Sequence, residues 1–327
     1  MKKIFLFLLI FSMLLAGCST KEGEKQTDSN RLSVYTTVYP LQYFSERIGG
    51  PYIEAKTVYP PGADEHTFEP TQKDMIKLAD ADLFIYIGLG LEGFVEKAKN
   101  TLKNEKVQMV AAGENVQLDT TGHHDEGEHH DEATHEDEHD HDDAIHEDDG
   151  HHHGDIDPHV WIDPIYAKDL AEAIKNALIE KMPEHKDEFI ANYDELSKEL
   201  DDLNVKFQHT VDHAKRKEII VSHSAFGYWE KRYGIKQISV SGLNTSNEPT
   251  QKQLEKIMSE AKEHDLSYVF FEQNVSSKLT EIIQKEIGAE ALVLHNLSVL
   301  TDNDIKNHST YFSIMDMNMK ALEKAIN

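Results

Sequence analysis

Three histidines, far apart in the chain, stand in loops that follow predicted strands or lie between prolines. His66 follows a strand-like run in "PPGADEHTFEP", and His159 lies between two prolines in "DPHVWIDP". His223 ends the β-branched run "EIIVSH" and precedes a strand-to-helix turn. A neutral imidazole is the commonest protein ligand of zinc, and three of them supply most of a tetrahedral shell. Each alone is equally explained as a hydrogen-bonded loop histidine, so a metal site requires that all three meet.

The other histidines and the short motifs point to no further site. Four histidines occupy polar helical faces and one begins a helix, and these are His185, His209, His213, His264 and His308. There is no "HExxH", no paired "CxxC" and no glycine-rich phosphate loop. The spacing of the three loop histidines therefore matches no local zinc motif, and only the fold can bring them together.

The run from Gly122 to Asp155 is rich in histidine and acidic residues and is too polar to form part of a hydrophobic core. Between His123 and His153 the run holds 14 acidic residues and no Lys or Arg. Its histidines are His123, His124, His129, His130, His135, His139, His141, His146, His151, His152 and His153. Like-charge repulsion and the near absence of apolar residues predict an extended, disordered loop. Its groups should chelate several zinc ions weakly, because each ion must order a flexible segment. We expect an accessory collector; the alternative is a solubilising tract.

The first residues and the overall charge restrict the class of protein. The chain begins with two lysines and a short apolar stretch that ends in "LAGC", a pattern that predicts an export signal and resembles the lipobox of bacterial lipoproteins. Cys18, the only cysteine, would then carry lipid, the alternative being a cysteine placed there by chance. The net charge of −27 argues against nucleic-acid binding, which needs a basic patch.

Strand-like and helix-like segments alternate on both sides of the acidic run, which favours parallel sheets covered by helices. From Phe189 to Phe207 the apolar residues step by 4, 3, 4, 3 and 4, and this spacing predicts one amphipathic helix from Glu184 to about Ala214. We therefore expect an α/β fold with two lobes, each a mostly parallel sheet flanked by helices, joined by one long rigid helix. The predicted bounds are 1–17 for a signal peptide, 18–30 for a lipidated tether, 31–182 for the N-terminal lobe, 183–214 for the linker helix and 215–327 for the C-terminal lobe.

In open α/β sheets, ligands bind in the crevice outside the carboxyl ends of the strands. His66 and His223 both follow predicted strands. His159 lies in a loop that the flanking prolines and Trp161 make stiff. The predicted strands and the stiff loop thus place the three histidine side chains where open α/β folds bind ligands.

Several stretches resemble the zinc-uptake solute-binding lipoproteins of bacterial ABC transporters, the ZnuA-like proteins of metal-binding cluster A-I. They are "VYPLQYFSERIGG", "PPGADEHTFEPTQKD", "DPHVWIDP", "VSHSAFGYWEKRYGIKQI" and "FFEQNVSSK". The resemblance implies one Zn²⁺ buried between two lobes on His66, His159 and His223. It also implies a lipid-anchored, extracytoplasmic monomer that is no enzyme and whose partners are a permease and its ATPase.

The fourth ligand is open at this stage. Relatives commonly place a carboxylate where this chain has Ser298, and a hydroxyl is a poor zinc ligand. Water, Glu65 or His295 are the other candidates, while Glu272 is expected to play a structural hydrogen-bonding role. Manganese relatives usually pair two histidines with two carboxylates, whereas three imidazoles favour metals later in the Irving-Williams series, so zinc is the expected cargo.

Two other functions use the same residues. A secreted zinc hydrolase would keep the fourth position for an activated water, but no general base stands at a recognisable motif spacing. A surface adhesin would use zinc as a bridge to its partner.

Overall fold

Two four-stranded parallel sheets organise the chain in a computed structural model that describes residues 31–118, 156–245, 249–274 and 277–327. The first sheet has the order β2-β1-β3-β4, with β1 (Leu32–Thr36), β2 (Ile53–Thr57), β3 (Leu83–Tyr86) and β4 (Gln108–Ala111). The second has the order β6-β5-β7-β8, with β5 (Glu218–His223), β6 (Lys236–Ser241), β7 (Tyr268–Phe271) and β8 (Glu290–Val293). All neighbouring strands pair in parallel, so the two sheets share one topology.

Helices connect the strands of each sheet and link the sheets to each other. Those of the first half are α1 (Tyr39–Gly49), α2 (Gln72–Asp80), α3 (Val95–Leu102) and α4 (Pro164–Lys181). The longest is α5 (Lys186–Asp212). Those of the second half are α6 (Gly227–Tyr233), α7 (Gln251–Glu263), α8 (Lys278–Ile287), α9 (Asp302–Lys306) and α10 (Tyr311–Ile326). The predicted fold class, two α/β lobes with parallel sheets and a long helix, is confirmed.

The long helix α5 follows the apolar spacing of the sequence. Along its 27 residues, Phe189, Leu196 and Leu200 are buried, as are Leu203 and Phe207. At about 1.5 Å per residue the helix is roughly 40 Å long. It is shorter than the predicted Glu184 to Ala214 because Pro183–His185 forms a separate 3₁₀ turn and the backbone leaves helical geometry at His213.

A continuous hydrophobic core joins the two lobes. Trp161 and Trp229 are fully buried within it. The Trp161 indole donates to the carbonyl of Asn296 at 2.7 Å, and the Trp229 indole donates to the carbonyl of Ile162 at 3.1 Å. The Tyr311 hydroxyl donates to the carbonyl of Trp161 at 2.9 Å. Residues of the second half therefore clamp the turn Val160–Ile162, which directly follows His159.

The structure adds one strand that the sequence pattern does not predict. β4 is the edge strand of the first sheet, and its four residues are all half-buried, so it has no alternation of buried and exposed side chains. The strands of the two sheets fall within 31–182 and 215–327. The domain bounds themselves stay predictions.

The predicted signal peptide, tether, Cys18 and histidine run from Gly122 to Asp155 lie outside the described residues. Among the helices that the structure describes, none has the length and apolar character needed to cross a bilayer.

Candidate metal centre

The structure brings the three loop histidines together. One ring nitrogen from each of His66, His159 and His223 lies within 4.8 Å of the others, and within the described ranges this is the one such group of three or more His, Cys, Asp or Glu. The Nε2 atoms of His66 and His159 are 3.3 Å apart. In a tetrahedral zinc site with Zn–N bonds of 2.0 to 2.1 Å, two nitrogens stand about 3.3 to 3.4 Å apart. The spacing of the donor atoms thus fits a zinc ion.

Each histidine is placed by a different element. His66 lies in the loop after β2, where its backbone N–H donates to Asp64 Oδ1 at 2.9 Å. The other carboxylate oxygen of Asp64 accepts from the Thr245 hydroxyl at 2.8 Å, a contact from the second lobe. His159 immediately precedes the clamped turn Val160–Ile162, and His223 is the last residue of β5. His159 and His223 are buried and His66 is half-buried.

Two of the rings have a carboxylate on the nitrogen that faces away from the group. His159 Nδ1 lies 2.7 Å from Asp157 Oδ1, which also accepts the His159 backbone N–H at 3.0 Å. His223 Nδ1 lies 2.9 Å from Glu272 Oε1. A carboxylate at Nδ1 keeps the proton there and leaves Nε2 for a metal, as is usual for metal-bound histidine. His223 Nε2 also lies 3.0 Å from the carbonyl of Leu243, a contact that zinc would replace.

Burial and mutual contact shape the charge of the group. Burial, together with His159 and His223, lowers the pKa of His66 to about 3, so this ring is neutral and free to coordinate at ordinary pH. Burial also opposes the charged form of His223, but the hydrogen bond to Glu272 outweighs it and raises the pKa of His223 to about 9. The pKa of Glu272 is correspondingly lowered by His223, against the effect of burial. A divalent cation would therefore displace a proton from His223.

Each protein candidate for a fourth ligand has hydrogen-bond partners of its own. Glu65 is buried, and its Oε1 accepts from the Asn296 side-chain amide at 2.9 Å. The Ser298 hydroxyl donates to Asn296 Oδ1 at 2.8 Å. His295 Nδ1 accepts from the backbone N–H of Leu297 at 2.9 Å, and its Nε2 faces Asp304 at 3.3 Å. Neither Glu65 nor His295 joins the three histidines, so the fourth ligand stays a prediction.

Two residues of this site were not singled out from the sequence. Asp157 supports His159 and is visible only as the acid two positions before that histidine in "DPHVW". Asn296 links Glu65 to Glu272, and no local pattern in "LHNLSVLT" marks it. Glu272 makes the structural hydrogen bond that the sequence led us to expect.

The family model described as ZnuA, zinc-uptake complex component A, periplasmic, matches residues 34–325. The chain belongs to this family. It is 33% identical over 325 residues, or 99% of its length, to the zinc-binding lipoprotein AdcA of Streptococcus pneumoniae strain R6, of which it spans 61%. It is 31% identical over 316 residues to the high-affinity zinc uptake system protein ZnuA of Bacillus subtilis, covering 96% of this chain and 94% of that one.

A solved structure of the same family has a similar fold. The crystal structure of the Zn(II)-bound ZnuA-like domain of Streptococcus pneumoniae AdcA aligns with a TM-score of 0.71 at 29% identity, over 90% of this chain and 99% of that one. ZnuA family membership confirms the resemblance read from the sequence. These relatives are named as zinc-binding and zinc-uptake proteins, which is a solute-binding role and not a catalytic one.

Proposed function

We propose that this ZnuA family chain captures one Zn²⁺ between its lobes on His66, His159 and His223 and delivers the ion to a membrane permease that an ATPase drives. The observation that carries the proposal is the meeting of three donor nitrogens, two of them 3.3 Å apart. Two of the three rings are backed by carboxylates that leave the other ring nitrogen for the ion. This arrangement is that of a capture site whose ligands are oriented before the ion arrives.

The origin of the ligands suggests how capture and release are coupled. His66 and His159 belong to the first half of the chain, and His223 ends the first strand of the second sheet. A complete site therefore exists only while the two lobes are in contact. Zinc stabilises that contact by its bonds to both sides, and a permease that separates the lobes would break the shell and release the ion.

Three imidazoles also determine the preferred cargo. Nitrogen ligands favour zinc over manganese, since harder oxygen ligands suit Mn²⁺ better. Copper and nickel bind such a site in vitro as well, because geometry and availability decide selectivity in the cell. We expect zinc to be the transported ion for this reason.

The proposal extends to the residues beyond the structure. The histidine run from Gly122 to Asp155 would collect zinc at low affinity, and lipid on Cys18 would hold a monomeric protein at the outer face of the membrane. These assignments depend on the sequence pattern alone.

The test replaces each ligand in turn and measures zinc affinity by competition with a chromophoric chelator. Loss of an outer-shell partner typically costs 10- to 100-fold, so His66→Ala, His159→Ala and His223→Ala should each weaken the tight site by more than about 100-fold. His185→Ala, which removes a half-buried ring stacked on Tyr52, is the matched control and should bind as the parent chain does. Tight binding that survives the loss of any one ligand would refute the assignment.

The same variants separate transport from the other two functions. Cells that lack the protein should regain growth under zinc limitation with the parent chain and not with His159→Ala. A hydrolase would instead cleave ester, peptide or phosphate substrates when zinc-loaded, and an adhesin would leave zinc-limited growth unrestored. Either of those results would favour the corresponding alternative over transport.

A further inference from the structure

One side-chain amide lies between the two buried carboxylates beside the histidine group. Asn296 Nδ2 donates to Glu65 Oε1 at 2.9 Å and to Glu272 Oε1 at 2.8 Å. A primary amide carries two hydrogens, so these contacts use both of them. Glu65 follows the second strand of the first sheet, whereas Asn296 and Glu272 follow strands of the second. The amide therefore joins carboxylates from opposite lobes.

The orientation of this amide is determined by its other contacts. Asn296 Oδ1 accepts from Gln273 Nε2 at 3.0 Å, and from the backbone N–H and the hydroxyl of Ser298 at 3.0 and 2.8 Å. Gln273 Oε1 in turn accepts the Asn296 backbone N–H at 3.1 Å. A flipped amide would set its nitrogen against three donors and its oxygen against two carboxylates. The nitrogen must therefore face the carboxylates.

We propose that Asn296 is a positioning residue that holds the Glu65 carboxylate outside the three-histidine group, so that solvent and not Glu65 completes the shell of the bound zinc. The inference rests on the proposed zinc site. Glu65 is the residue directly before His66, and its carboxylate is buried beside the group without joining it. A divalent cation at the histidines would attract that carboxylate. The Asn296 amide opposes the movement through its hydrogen bond, and the Ser298 hydroxyl is a second hydrogen-bond partner of Glu65.

The arrangement also assigns a role to Ser298, which lies two residues after Asn296. Its hydroxyl and backbone N–H both bind Asn296 Oδ1 and hold the amide toward Glu65. In this chain the Ser298 hydroxyl supports Asn296 and also contacts Glu65, and it does not contribute a ligand itself. The shell would then have one exchangeable position, which favours release of the ion.

The experiment uses Co²⁺ as a spectroscopic substitute for zinc in the full chain. Four proteins are compared: the parent, Glu65→Gln, Asn296→Ser, and the double variant. Glu65→Gln alone should leave the ligand-field spectrum and the Co²⁺ affinity within about twofold of the parent, because Glu65 is not a ligand. Asn296→Ser should change the spectrum as Glu65 enters the shell, and the double variant should restore the parental spectrum.

A control replaces a half-buried asparagine away from the histidines, whereas Asn296 itself is fully buried. Asn192 donates to the carbonyl of Ile48 at 2.9 Å on the long helix, and Asn192→Ser should leave the spectrum unchanged. A purely structural role for Asn296 would lower affinity without any spectral change that depends on Glu65, and this result would overturn the inference. A changed spectrum in Glu65→Gln alone would overturn the inference too. This measurement does not use the Asn296 variant, so it still tests the inference if that variant fails to fold.

The proposed function fails separately. If the parent chain bound no Co²⁺ or Zn²⁺ at the three histidines, the zinc site itself would be wrong, and the comparison of the Glu65 and Asn296 variants would not be reached. If the parent binds the metal through the histidines but the spectral change in Asn296→Ser does not depend on Glu65, only the inference about Asn296 is refuted.

Discussion

A single methyl group on Gly227 should weaken zinc binding without touching a ligand. Gly227 is the first residue of α6, and its backbone lies against the side chain of Asp157 from the first half of the chain. A Cβ at this position would stand 2.7 Å from Asp157 Oδ2 and 3.3 Å from Gln237 Nε2. The same carboxylate orients His159 through its other oxygen.

The size of the effect follows from these distances. Ordinary van der Waals contact begins at 3.4 Å, so Asp157 must retreat by about 0.7 Å, the difference between 3.4 and 2.7 Å. If the whole carboxylate moves by this amount along its bond to His159 Nδ1, now 2.7 Å, that bond lengthens beyond the roughly 3.2 Å limit of a good hydrogen bond. Loss of such an outer-shell bond typically lowers metal affinity by about 10- to 100-fold, or about 1.4 to 2.7 kcal/mol.

The assay is chelator competition on Gly227→Ala, with thermal unfolding of the metal-free protein to confirm that the fold persists. Gly93→Ala is the control, because a Cβ there meets no atom within 4 Å. Asp157→Ala and the double variant test the route: if Gly227 acts through Asp157, the double variant should bind no worse than Asp157→Ala. Parental affinity in Gly227→Ala, or additive losses in the double variant, would refute the reasoning.

Three further predictions concern pH, stoichiometry and stability. Because the hydrogen bond to Glu272 outweighs burial and raises the pKa of His223 to about 9, this ring should lose a proton as zinc binds. The loss of that proton should raise the zinc affinity about tenfold per pH unit from pH 7 to 8, and a flat profile in chelator competition would contradict this. Deleting Gly122 to Asp155 should reduce bound zinc, measured by elemental analysis, to about one ion per chain; a lost tight site would show that the run is the primary site. The hydrogen bond from His295 holds the pKa of Asp304 below its ordinary value, so its stabilisation is present above about pH 4 and is lost as pH falls further. Asp304→Asn should therefore lower the free energy of unfolding in urea by about 1 to 3 kcal/mol at pH 7 and by less at pH 3, whereas an equal loss at both would exclude the ionised carboxylate as the cause.

The fold class was predictable because periodic patterns repeat along the whole chain. The apolar spacing of α5 is local information, and its buried face follows the 3.6-residue period directly. The strands of the sheet centres carry continuous apolar or β-branched runs, as in Leu83–Tyr86, since both of their faces are covered. Edge strand β4 has only four residues, and all of them are half-buried, so it shows no alternation between a buried and an exposed face.

The order of the strands within each sheet was not predictable from these patterns. Local propensity states that a segment is extended, and it does not state which strand lies beside it. The β2-β1-β3-β4 and β6-β5-β7-β8 orders arise from packing between distant segments.

The sequence by itself determined which side chains were available: three loop histidines whose ring nitrogens can bind a metal, and a family pattern around each of them. Only the tertiary structure decided that the Nε2 atoms of two of them lie 3.3 Å apart, and that Asp157, Glu272 and Asn296 orient the rings and carboxylates around the site. The physical reason is that coordination depends on tenths of an ångström between atoms from separate loops. Such distances result from the packing of both lobes together and are encoded in no single stretch of the chain.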